Sequence, residues 1–189
     1  MSSNNLVRFA GISGIIVAVC MAGFIFSVDP ETFKPNSPLF PVFLWGSVVF
    51  GIILTVGLYS FYRHESPTGS LVAAAVSLIG YVLYGVASFS WQPGNMLIFI
   101  GDMAIYIVGV ALFSWLAYTT KKVSRYLAIV GFLGALSGIA EYALMFTVGE
   151  QSGATTALYM VYFILSLVWL VWTGVSLLRA KTQTVMATA

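Results

Sequence analysis

The sequence predicts an all-α integral membrane protein, a bundle of six transmembrane helices. Three observations point there. Of 189 residues, 60% are hydrophobic and 7% are charged, against about 25% charged in an ordinary soluble domain. Mean hydropathy is +0.98, and 14 charges (8 basic plus 6 acidic) are too few to cover a water-facing surface. The apolar residues also fall into six runs, each close to the ~20 residues a helix needs to cross the hydrocarbon core.

The runs are roughly 6–28, 39–62, 70–91, 95–119, 124–148 and 156–179. They are separated by VDPETFKPNSP, RHESPTG, QPGN, TTKKVS and GEQSGAT, which are polar or carry helix breakers. These breaks leave no room for a soluble module, so residues 1–189 read as one transmembrane domain. The first run could pass for a signal sequence. Its core, Gly11 to Val28, is long for one and no small-x-small cleavage site follows, so it reads as an uncleaved helix.

Basic residues set the expected orientation. With both termini on one side, Arg8, Arg63, Lys121, Lys122, Arg125, Arg179 and Lys181 share that side, and Lys34 alone lies opposite. Cytoplasmic ends attract Lys and Arg, so both termini are expected in the cytoplasm of a multi-pass protein of the cell membrane. The segment Asp29 to Pro38, with three prolines, is then an ordered outer cap.

Composition excludes several functions. A net charge of +2 gives no nucleic-acid footprint. A single cysteine, Cys20, allows no intrachain disulfide, and His64 is the sole imidazole, placed beside Arg63 and Glu65 in a loop. No nucleophile–His–acid set, phosphate loop or metalloprotease motif is present, so an enzyme is the less favoured class. No cofactor is indicated. Met21, Met96, Met103, Met145 and Met160 share the outer half with Cys20. They suit soft metals, but methionine is an ordinary filler of such cores, and no metal site is assigned.

Small residues mark the faces where membrane helices approach closely. The fifth run carries Gly131, Gly134 and Gly138, and the acid Glu141 follows three residues later on the same stripe. The first run has Gly11, Gly14, Ala18 and Ala22, and the third has Ala73, Ser77, Gly80, Tyr84 and Ser88. The sixth carries Tyr159, Tyr162, Ser166, Trp169, Thr173 and Ser176 at 3-4-3-4-3 spacing, which is one continuous helix face.

A second acid, Asp102, lies in the fourth run. It precedes Lys122 by 20 residues (122 − 102), and Glu141 follows Lys122 by 19 (141 − 122). A short loop makes these runs antiparallel neighbours, so the two acids fall at one height, in the outer third of the bilayer. Apart from residues at their ends, the runs contain no Lys or Arg. Ionisable groups inside a membrane are costly and mark binding sites and pathways. The expected site is therefore Asp102 and Glu141, with Tyr106 one turn below Asp102, Tyr142, Tyr162 and Trp169 as further candidates for binding a ligand or cation. The bland alternative is a neutral acid hydrogen-bonded to a tyrosine or a backbone carbonyl.

The segments VWLVWTGVSLLR and SRYLAIVGFLGALSG resemble a class of small bacterial and archaeal six-helix membrane proteins grouped as domains of unknown function. The resemblance implies the fold and no activity, and no functional residue is carried across. Three readings stand at this point. The first is binding or transport of a small cationic or hydrophobic ligand around Asp102 and Glu141. The second is an accessory subunit of a larger membrane complex, or a homo-oligomer, with glycine stripes as docking faces. The third is an intramembrane enzyme acting on lipid or quinone. The lipid bilayer is the partner common to all three.

Overall fold

The computed structural model describes residues 3–29, 34–89, 91–92, 95–149 and 152–180. Six helices are long and apolar enough to cross a membrane, which fits a multi-pass membrane protein. They are α1 (Ser3–Ile25), α2 (Phe40–Tyr62), α3 (Pro67–Ser88), α4 (Met96–Thr120), α5 (Arg125–Val148) and α6 (Gly153–Arg179). Glu31, Lys181 and the Pro93–Gly94 pair lie outside the described residues.

Local chemistry explains most boundaries. A proline within the first turn opens α2 and α3, where its missing N–H costs nothing. Asn95, Ser124 and Ser152 cap α4, α5 and α6 by accepting from Leu97, Tyr126 and Thr155 N–H at 3.0, 3.3 and 3.1 Å. Lys121 ends α4 in the left-handed region at φ 55°. Gly149 follows α5 at φ 102°, a conformation that glycine adopts without penalty.

The helices form a closed ring in chain order. Each packs on its sequence neighbours, and α6 returns to pack on α1. Close approaches through small residues hold the ring. A Cβ added at Gly174 would meet the Gly11 carbonyl oxygen at 2.6 Å, and one added at Gly11 would meet the Gly174 carbonyl oxygen at 2.8 Å. Gly57 rests on Ala10, Gly101 backs onto Gly80 and Tyr84, and Gly138 faces Ile107 and Tyr162. The glycines that could have served as docking faces are thus used inside the bundle.

Arg63, Lys121, Lys122 and Arg125 gather at one end, and Lys34 lies at the other. Lys122 donates to the Phe61 carbonyl at 2.6 Å, pairs with Glu65 at 2.8 Å and lies 4.6 Å from the Phe61 ring centre. This ties the α2–α3 and α4–α5 loops together. At the opposite end the α1–α2 connection folds back on itself. Val28 bridges Pro35, Asp29 N–H donates to Lys34 at 2.9 Å, and Asn36 N–H donates to Ser27 at 3.0 Å. Phe24, Phe40 and Trp91 pack beneath it with ring centres 5.2–5.4 Å apart, and Trp91 reaches the Tyr84 ring at 6.3 Å.

Within α4, residues Met103–Gly109 wind as a π-helix. The continuous α-helix expected over this run is interrupted one residue after Asp102. Such wide turns are rare and concentrate at functional sites.

Candidate functional site

Asp102 lies six residues into α4 (102 − 96), Glu141 seven before the end of α5 (148 − 141) and Tyr159 six into α6 (159 − 153). At 1.5 Å per residue these groups form one layer roughly 10 Å below the end that bears the folded-back cap.

The Asp102 carboxylate is the centre of that layer. Tyr142 of α5 and Tyr162 of α6 both donate to its Oδ2, at 2.8 and 2.9 Å. Two hydroxyls from two helices on one oxygen fix the carboxylate and couple three helices at a point. Tyr142 is further held by the edge of the Phe99 ring, 6.1 Å away. Tyr84 of α3 and Tyr159 of α6 also stand within electrostatic reach of the carboxylate. Asp102 retains partial exposure, whereas Tyr142 and Tyr162 are buried.

Glu141 is buried at 7% exposure, one turn beyond Gly138 on the face that α5 turns to its neighbours. Tyr142 and Tyr159 lie within electrostatic reach of both Glu141 and Asp102, so the two acids border one tyrosine-lined layer.

Tyr106 stands within electrostatic reach of Asp102 and Tyr162 and hydrogen-bonds with Tyr81 of α3. Trp169 lies seven residues beyond Tyr162, about 10 Å along α6, against Gly131 and beside Ser114. Of the methionines, Met96, Met103 and Met160 turn outward and are exposed, while Cys20 packs on Gly46 of α2.

Two tyrosines of this layer were not singled out as site residues by sequence. Tyr84 belongs to a stripe of small residues and Tyr159 opens the aromatic stripe of α6. Counting residues from each helix end places both at the depth of Asp102, which is the signal that could have found them.

A carboxylate held by two tyrosine hydroxyls offers remaining acceptor positions, and surrounding aromatic rings stabilise a cation or an ammonium group by their faces. Among the described residues no group of three or more His, Cys, Asp or Glu converges as a metal centre. No family model, curated protein or solved structure matches this chain.

Proposed function

We propose that this is a binding or transport protein of the membrane whose ligand is a small protonated amine, held at Asp102 with Glu141 as the second acid of the layer. The observation that carries the reading is the Asp102 carboxylate: partly exposed in a membrane-depth layer of a six-helix ring, with two tyrosine hydroxyls as its hydrogen-bond partners and aromatic rings around it. A carboxylate so placed is costly without a function, and carboxylate plus tyrosine faces is the chemistry that recognises ammonium. The accessory-subunit reading loses its support, because the glycine stripes are consumed between helices of the same chain.

Titrating the purified chain calorimetrically with methylammonium and with tetramethylammonium tests the proposal. Saturable binding of methylammonium is expected, weakened roughly 10- to 100-fold by Asp102→Asn, the worth of one charge-assisted hydrogen bond. If Asp102→Asn binds as well as the parent, or neither ion binds, the proposal fails.

The proposed orientation places the basic end and both termini in the cytoplasm, and the folded-back cap outside. In intact cells an impermeant thiol reagent is expected to label Asn36→Cys and to spare Thr120→Cys, each in a Cys20→Ala background. The opposite labelling would invert the protein.

A further inference from the structure

We infer that the axis of the ring is a water-bearing, hydrogen-bonded path that carries protons between the Asp102 layer and the basic end. The inference rests on the reading of Asp102 as a functional group and adds to it the route by which a proton reaches or leaves that layer.

Three buried polar atoms carry the argument. Among the described residues, Ser114 Oγ, Trp169 Nε1 and Thr173 Oγ1 have no hydrogen-bond partner, and their residues are 0%, 4% and 3% exposed. Buried polar groups are almost always satisfied, and three orphans in one region of a small membrane protein require an occupant. Ser114 Oγ and Trp169 Nε1 both pack onto Gly131, where an added Cβ would run into each of them.

Two cavities adjoin Trp169, and one of them also adjoins Thr173. One, of about 20 Å³, is walled on its polar side by Thr55, Ser77, Tyr81, Tyr106 and Trp169. The other, of about 10 Å³, is walled by Tyr62, Trp169, Thr173 and Ser176. A buried water needs on the order of 10–15 Å³ of such space and two to four polar partners. Each cavity meets the partner requirement and has room for about one water, and neither has room for an organic ligand. Water is the occupant that the chemistry and the size both select.

The cavities lie end to end. Both include Leu58, Phe113 and Trp169 in their walls, so these side chains form the partition between them. The upper cavity ends at the Tyr81–Tyr106 pair, and both tyrosines stand within electrostatic reach of Asp102. The lower one ends at Ser176 and Val123, next to the loop of Lys122. The groups within reach of Asp102 are Tyr81 and Tyr84 from α3, Tyr106 from its own helix, Tyr142 from α5, and Tyr159 and Tyr162 from α6, with Glu141 of α5 within reach of Tyr142 and Tyr159.

The roles follow from donor inventory. Hydroxyls and water each accept one proton and release another, so a proton passes along them with no net change in any group. The Trp169 indole only donates. It anchors a water and does not relay, while Thr173 and Ser176 can do both. Leu58 and Phe113 make the partition apolar and so restrict the flow.

The test uses the full chain in liposomes that enclose a pH-sensitive dye, with a potassium diffusion potential as the driving force. Parent protein is expected to admit protons faster than protein-free liposomes. Thr173→Val keeps the shape and removes the hydroxyl, and Ser176→Ala removes a second hydroxyl of the lower cavity. Each should slow the flux about fivefold to tenfold, the equivalent of one hydrogen bond, while methylammonium binding persists. Phe113→Ala, which opens the partition, should raise the flux, and Asp102→Asn should cancel that gain. Parent flux equal to the protein-free rate, or no change in both Thr173→Val and Ser176→Ala, overturns the path. Binding without flux would remove the path and leave the amine site. Flux without binding would remove the amine reading alone.

Discussion

Replacing Gly174 with Leu is expected to destabilise the bundle more than any other single change on its helix faces. The closest approach of α6 to α1 is made by backbone on backbone. A Cβ at Gly174 would stand 2.6 Å from the Gly11 carbonyl oxygen and 3.0 Å from Ile15 Cγ1. A flexible side-chain tip could swing aside, but a carbonyl inside a helix cannot. Accommodating even a methyl group requires the two helices to separate, which loses the dispersion contacts that hold membrane helices together where no hydrophobic drive exists between them. Overpacking typically costs about 1–3 kcal/mol, and Leu here should lie at the upper end or beyond. Because α1–α6 is the contact that closes the ring, the loss also frees both terminal helices. Thermal unfolding in detergent checks this. Gly174→Leu should lower the midpoint sharply, whereas Gly153→Ala, with nothing within 4 Å of its added Cβ, should stay within about 0.5 kcal/mol of the parent. Equal midpoints for the two variants would show that α1 and α6 do not meet there.

The helices were legible because hydrocarbon imposes a single rule: the chain must satisfy its own backbone, so an apolar run of this length is a helix. Runs 39–62 and 124–148 come within one residue of Phe40–Tyr62 and Arg125–Val148. The larger shifts have local causes. The third helix starts at Pro67 and not at residue 70, because proline and small polar residues initiate helices while adding nothing to hydropathy. The first stops at Ile25, since Val28 is drawn into the bridge with Pro35. The π-helix after Asp102 had no counterpart in the sequence. It lacks proline, and its residues, MAIYIVG, are as suited to an α-helix. The widening is a tertiary outcome, and periodicity cannot report it.

The site was legible in its depth and less so in its partners. Counting residues from the Lys122 turn put Asp102 and Glu141 at one height, and the glycine stripe gave Glu141 an inward face. Spacing puts Tyr106 one turn from Asp102, and in the fold it stays within electrostatic reach of the acid while bonding Tyr81, a partner that spacing cannot report. Trp169 was chosen because it shares a stripe with Tyr162. A stripe runs the length of the membrane, however, and spacing along it separates residues by depth even when they share a face. The stripe therefore holds two environments: tyrosines at the carboxylate, and Trp169 with Thr173 in the lower axis.

Removing the Tyr142 and Tyr162 hydroxyls should have opposite effects depending on whether Asp102 is present. In the parent, both donate to one oxygen of a carboxylate that sits among buried rings. Tyr142→Phe or Tyr162→Phe leaves that oxygen short of a donor, and each is expected to cost about 1–2 kcal/mol in a denaturation measured in detergent. The double variant should cost less than the sum, because both hydroxyls serve the same atom and residues sharing a partner do not add. With Asp102→Ala the situation reverses. The two hydroxyls then have lost their acceptor and are themselves buried and unsatisfied, so converting either tyrosine to phenylalanine removes a penalty and should be neutral or stabilising. Ring packing is the same in both backgrounds, since phenylalanine keeps the ring, so the change of sign isolates the hydrogen bonds from the apolar contacts. A cost of equal size in both backgrounds would mean that the hydroxyls bond elsewhere. Asp102 would then not be the centre on which α4, α5 and α6 converge, and the amine site built on it would lose its geometry.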